Sequence, residues 1–142
     1  MALDINTFNT GIYTKLNVAA ITNLVTGIYH KKAPQGTAYP YVCYWIVTDI
    51  SADTFKDWRD ELLVQIDIFC QDKNKAGTPV SGSQHVGVIA QAVAGEMDEA
   101  ILTVTPYTNV FCQRGMTRLL YEDDNDVWHK VMEYRVIMDK AK

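Results

Sequence analysis

The hydrophobic positions change their repeat several times along the chain, and each change marks an element. Ile12, Leu16, Ala20 and Leu24 recur every fourth residue, with Tyr13, Ala19 and Ile28 widening the stripe. That spacing predicts a helix of about four turns that buries one face. It should begin near Asn9 or Thr10, either of which suits a cap, and end before Gly27. From Tyr41 to Val47 the run YVCYWIV is apolar without alternation. Such a run reads as a strand covered on both faces, or covered on one face by a neighbouring subunit. Then LLVQIDIFCQ alternates, with Val64, Ile66 and Ile68 on one side and Gln65 and Asp67 on the other. Residues 41–50 and 61–70 therefore predict an antiparallel pair joined by a long polar loop. That loop carries two isolated aromatics, Phe55 and Trp58, which either mark a contact surface or fold back onto the sheet.

Past a breaker-rich linker, DKNKAGTPVSG, the helical period returns: Val86, Ile89, Ala90, Val93 and Met97 share a face. Ser81 and Gln84 stand at capping-box spacing, Ser83 is an equally good cap, and Gly95 is expected to loosen the last turn. The rest reads as strand. AILTV is short and stops at Pro106, NVFCQRGMTRLLY carries Gly115 where a bulge is expected, and EDDND makes a turn. VWHKVMEYRVIMD sets Trp128, Met132, Tyr134, Val136 and Met138 against His129, Glu133 and Arg135. The predicted order is α-β-β-α-β-β-β over a single domain, residues 1–142, with no internal repeat. An antiparallel sheet of four to five strands with two helices packed on one face satisfies these faces: an α+β fold.

Composition narrows the function classes. Of 142 residues, 48% are hydrophobic, enough for one real core. The net charge of −4 and the lack of any basic cluster beyond His30-Lys31-Lys32 argue against nucleic-acid binding. No apolar run approaches the roughly 18 residues of a membrane span. MALDINTFNTG has neither the basic nor the apolar region of a signal peptide, so synthesis in the cytoplasm is expected. Cys43, Cys70 and Cys112 are odd in number, far apart and set in apolar runs, as buried free thiols would be.

Catalytic patterns are missing. The three histidines, His30, His85 and His129, have no metal-binding spacing, and there is no nucleophile elbow, phosphate loop or dinucleotide-binding glycine pattern. Counted as a calcium loop from Glu122, the twelfth residue is Glu133, but the sixth is Val127 where glycine is needed. A hairpin turn is preferred for EDDND, with an incidental cation site left open. No cofactor, metal or catalytic residue is expected, and a domain of this kind works through its surface.

One segment is distinctive. A helix followed by GIYHKKAPQGTAYPYVCYWIVTD resembles the start of the phage tail-terminator family, the tail-completion or tail-to-head joining proteins of long-tailed phages. Ile28, Tyr29, Ala33, Pro34, Gln35, Gly36, Pro40, Tyr41, Val42 and Tyr44 carry the likeness. RDELLVQIDIFCQD, residues 83–98 and TRLLYEDDNDVWHKVMEYRVIM follow the family more loosely, as its second strand, its helix and its closing hairpin. The loop at 71–82 and the aromatics Trp45 and Trp58 depart from the pattern, which leaves partner contacts open.

The resemblance implies structural work without catalysis. Such proteins form a ring, usually of six subunits, that caps the tail tube, ends its polymerisation and offers a surface to the head connector. The implied partners are further copies of the chain, the tail tube protein and the neck proteins, with neither nucleic acid nor membrane. The implied location is the tail–neck junction of the virion, after synthesis in a bacterial host. The residues expected at subunit contacts are Pro34, Gln35, Gly36, Tyr41, Tyr44, Phe55 and Trp58, with the alternative that the APQG loop only caps the core. Competing readings are another neck protein, such as a head-completion protein, and a small ligand-binding or enzymatic α+β domain.

Overall fold

The computed structural model describes residues 3–75 and 78–142. Its centre is a five-stranded sheet of β1 (Ile28–His30), β2 (Tyr41–Ser51), β3 (Asp57–Gln71), β6 (Thr108–Glu122) and β7 (Val127–Ala141), in the order β1-β2-β3-β7-β6. All neighbours are antiparallel except β1 and β2, so the sheet is mixed. The predicted α+β class holds, with one short parallel edge strand added. β3 and β7 pair without interruption from Asp57↔Ala141 to Gln71↔Val127 and form the spine of the molecule.

Helices α1 (Ile5–Leu16), α2 (Ala19–Thr22) and α3 (Gly82–Met97) pack on one face of this sheet. The alternation that predicted β3 and β7 now has a physical cause. Leu62, Val64, Ile66, Ile68 and Cys70 from β3, and Met132, Tyr134, Val136 and Met138 from β7, meet Val86, Ile89, Val93 and Met97 of α3 in one core. Phe8, Ile12 and Leu16 of α1 and Ile21 of α2 complete it. At roughly 1.5–3 kcal/mol per fully buried large apolar side chain, this core dominates the folding energy.

Several details differ from the sequence reading. The first helix begins at Ile5, not near Asn9, because Asp4 caps it: Asp4 Oδ1 accepts from the Asn6 and Thr7 amides at 3.0 and 3.4 Å. It also ends early. Val18, β-branched and extended, breaks the helix, and the short α2 restarts with Ile21 buried where the four-residue stripe had placed Ala20. Ile28 then belongs to a strand, not to the helical stripe. The polar loop after β2 is mostly strand, leaving only residues 52–56 as the connection.

Within the linker, β4 (Lys73–Lys75) pairs with β5 (Thr78–Val80) as a small hairpin; Ala76 and Gly77 lie outside the described residues. AILTV is not a strand. Leu102, Val104 and Tyr107 from that loop plug the core while Ile101 stays exposed, and a single bridge joins Val104 to Tyr107. The expected bulge at Gly115 is present as a register shift between Arg114 and Thr117.

The α3 face is as predicted, but its cap is not a capping box. Ser81 Oγ caps no amide of the first turn and lies instead 2.9 Å from Ser83 Oγ; the Gly82 amide donates to Asp72 Oδ1 from the end of β3. Trp128 Nε1 donates to the same carboxylate at 3.2 Å, which ties the start of α3 to β7. The helix runs past Gly95 to Met97. All three cysteines are free and buried. Burial raises their thiol pKa values, Cys43 to about 11 and Cys70 and Cys112 to about 12.

Candidate assembly surface

Among the described residues no helix packs on the other face of the sheet. Because Val42 and Tyr44 face the core, Tyr41, Cys43 and Trp45 project to this open side. In-register pairing then lines up Tyr41, Phe69 and His129 across three adjacent strands. Tyr41 stacks on Phe69 at 5.0 Å between centroids, and Phe69 on His129 at 4.2 Å. Tyr39 extends the row at 5.1 Å, and Tyr29 meets Tyr41 edge-on at 6.3 Å. Burial is the main cause that raises the Tyr41 phenol.

Beside the row sits Asp67, a buried carboxylate that gathers three polar side chains. It accepts from Trp45 Nε1 at 3.3 Å and Gln65 Nε2 at 2.9 Å, and lies 2.8 Å from His129 Nε2. A buried charge needs this kind of satisfaction. The predicted continuous cover over Tyr41–Val47 is thus only partial: Val42, Cys43 and Tyr44 are buried, Trp45 and Ile46 are half-buried, and Val47 is exposed.

The APQG loop enters β2 at one end of the sheet. Its turn is closed by Thr37, whose amide and hydroxyl donate to the Pro34 carbonyl at 3.1 and 2.6 Å. Gly36 has φ of +84°, a left-handed conformation that glycine adopts without strain, although a Cβ there would meet nothing within 4 Å. Thr26 holds the far side of the loop: its amide donates to the Pro40 carbonyl at 2.8 Å, and its hydroxyl to Ala38 O at 2.6 Å. Pro34, Gln35 and Gly36 are nevertheless exposed. The loop is fixed at its base and presents its tip.

The opposite end of the sheet is an arm. β1 stops at His30↔Tyr44, so β2 from Trp45 onward has a free edge. Ile50 is 59% exposed and Phe55, at the tip, 96%. Of the two isolated aromatics, only Phe55 is free. Trp58 lies half-buried on β3 with Lys142 Nζ 4.6 Å over its ring, and that ammonium also donates to the Thr54 carbonyl at 2.8 Å. Arg59 and Asp139 form a two-pronged bond at 2.7 Å on the open face, which raises the Arg59 pKa. On the helix face, Asp49 and Asp60 lie close together; Asp60 is buried, and burial first, then the Asp49 charge, raises its pKa.

The seven residues expected at contacts therefore divide. Pro34, Gln35, Gly36 and Tyr41 gather at one end, and Phe55 and Trp58 sit at the other, roughly 30 Å away along ten residues of β2. Tyr44 joins neither group. It is buried toward the helices, with Tyr13 and His30 at centroid distances of 6.4 and 5.4 Å.

A third surface was missed in the sequence. β6 is the outermost strand, and residues 113–119 are exposed throughout, among them Met116 and Leu119. Its signal was present: a strand-like run with two arginines, a glycine and no buried alternation between Gln113 and Leu119.

At the acidic turn, Tyr121 donates to Asp126 Oδ1 at 2.6 Å, and Asp126 takes a positive φ of 54° as the hairpin reading required. Among the described residues no three His, Cys, Asp or Glu side chains are arranged to hold a metal. No helix among them is long and apolar enough to cross a membrane.

The core lies on one face of this α+β fold, and exposed side chains are spread over its edges, loops and open sheet face. The chain belongs to the family described as Tail completion protein gp17, whose profile matches residues 11–139. It is a phage-type tail structural protein and a virion component. The fold is similar to that of a chain in a solved structure described as the virion of a native gene transfer agent particle, with a TM-score of 0.71 and 18% identity. The match covers 91% of this chain and 92% of that one. A search of curated proteins gives no match.

Proposed function

We propose that this chain caps the phage tail tube, ends its polymerisation and forms the surface that joins tail to head, acting as a closed ring with six as the expected number. The observation that carries this reading is the separation of two unlike ends on one rigid sheet. A terminator must touch two bodies, tube and head connector. Here the fixed APQG tip and the exposed arm tip stand at opposite ends of the β2–β3–β7 spine. Tail completion membership supports the same role. A ring further requires two different complementary surfaces per subunit, which a sheet with two unlike free edges provides. On this reading the protein is made in the bacterial cytoplasm and ends at the tail–neck junction.

The test is tail assembly with and without the chain. Tubes grown without it should overrun their normal length in electron micrographs and fail to join heads, and added purified protein should restore both. Normal-length tails that still fail to join would favour another neck role, and normal-length tails that join would reject the proposal. Light scattering should find a species near six times the 16.0 kDa chain mass.

A further inference from the structure

The sheet is open along two edges. On one side β6 pairs with β7, and no further strand among the described residues lies beyond it. The Glu99 amide donates to the Cys112 carbonyl at 3.0 Å, so the outer edge is open only past that point. On the other, β1 covers three residues of β2, Val42–Tyr44, and then turns away at Lys31, whose φ is 66°. Beyond it the arm edge of β2 is bare. Free edges present unpaired amides and carbonyls that bind another strand.

Resting on the ring reading, we propose that the sheet continues from copy to copy: the outer edge of β6 around Thr117–Tyr121 pairs with the arm edge Val47–Ser51 of the next subunit. Three observations select this partner. The first is length and regularity. Register shifts between Asn109 and Phe111 and between Arg114 and Thr117 interrupt β6, leaving the stretch from Thr117 onward as its longest regular run. The arm offers Thr48–Ser51 as a regular run, following a register shift in β2 at Val47.

The second is charge. Within the two segments, Thr117–Tyr121 carries Arg118 and no acid, and Val47–Ser51 carries Asp49 and no base. A β6 edge on another β6 edge would set arginines against arginines, and arm on arm would set aspartates together; the mixed pair alone is complementary. It is also the one arrangement of the three that is head-to-tail, as a ring demands.

The third is apolar surface. Leu119 and Tyr121 in the β6 segment, and Val47 and Ile50 on the arm, are large hydrophobics exposed on the two segments, and pairing would cover them with the neighbouring copy.

Cross-linking tests the contact. Ile50→Cys and Leu119→Cys chains, with Val47→Cys as a second arm variant, change exposed positions, while the native thiols are buried. Circular dichroism checks that each folds. Treated with a short bismaleimide, the mixture of arm and β6 variants should give roughly tenfold more covalent dimer than either variant alone. A ring-sized species that gives no mixed dimer would overturn the edge pairing and leave the ring standing. A chain that stays at 16.0 kDa at every concentration and gives no mixed dimer would overturn both.

Discussion

The two ends of the sheet expose comparable amounts of chain but hold it in different ways. At the APQG end the exposed tip sits on a built foundation, with the turn bonds of Thr37, the clamp of Thr26 and the stacked row from Tyr39 to His129. At the arm end, β2 and β3 run on past β1 with Ile50 and Phe55 in solvent. Only a few ties brace them, chiefly Arg59–Asp139 and the C-terminal Lys142. One end is ordered by its own contacts before any partner arrives, which lowers the entropy cost of docking. The other carries apolar surface that the isolated chain leaves uncovered. Mutations should therefore separate them: changes near the APQG foundation should act on folding, and changes on the arm tip on assembly.

The largest expected effect on folding is at the foundation. Asp67→Ala would leave the half-buried Trp45 and Gln65 without their carboxylate acceptor. Unmet buried groups cost about 1–3 kcal/mol each, so a loss of roughly 2–4 kcal/mol is expected from urea midpoints. A loss below about 0.5 kcal/mol would mean that the aromatic row stands without its polar hub. Gly36→Ala comes next. Nothing crowds a Cβ there, so its expected cost of about 1–2 kcal/mol is that of a left-handed backbone alone. Gly36→Asn, which tolerates this geometry better, should recover part of the difference.

These assignments show what the sequence carried and what it withheld. Alternation in β3 and β7 and the four-residue stripe of α3 were legible because each has one face on the core: Val64 to Ile68, Met132 to Met138 and Val86 to Met97 are buried as their spacing implied. The break at Val18 was not legible, since Ala20 and Ile21 are both apolar and only the packing of α2 selects Ile21. Nor was β1, three residues whose strand character comes from pairing with Val42–Tyr44 and not from any repeat of their own. AILTV looked like a strand because it is a short apolar run, yet it meets the neighbouring β6 only at separate points, the Glu99 amide on the Cys112 carbonyl at 3.0 Å and the Leu102 amide on Asn109 Oδ1 at 2.8 Å.

In the candidate site, Pro34–Gly36 were readable as a rigid turn and Phe55 as an isolated aromatic. The sequence left open whether the loop capped the core and whether the ring folded back; the structure leaves both exposed. The burial of Tyr44 and the folding back of Trp58 depended on partners distant in sequence, Tyr13 and Lys142.

At the base of the arm, pH offers a milder probe. Burial and the neighbouring Asp49 raise the folded-state pKa of Asp60 above 3.8, so the folded chain holds this proton more tightly than the unfolded chain. The sign follows: the protonated carboxyl favours folding, and stability declines as pH rises from 3.8 through the raised value. Asp60→Asn should reduce that decline, seen as a flatter melting temperature across the same window, and leave the part due to Asp49, whose own pKa burial also raises. An unchanged slope would place the titration elsewhere.

The smallest expected effect on folding is at the arm tip, and it is also the sharpest test of the comparison. Phe55 is 96% exposed, so Phe55→Ala removes almost no contact within the chain and should change stability by less than about 0.5 kcal/mol. If the arm completes its burial only in the assembled ring, the same substitution should lower the fraction of ring-sized species at a given concentration. Trp58→Ala should behave differently, because it also removes the ring under Lys142 and loosens the tie to the Thr54 carbonyl. A Phe55→Ala protein that folds normally and forms full-size rings at wild-type concentrations would remove the arm tip from the contact. Assembly would then rest on the strand edges behind it.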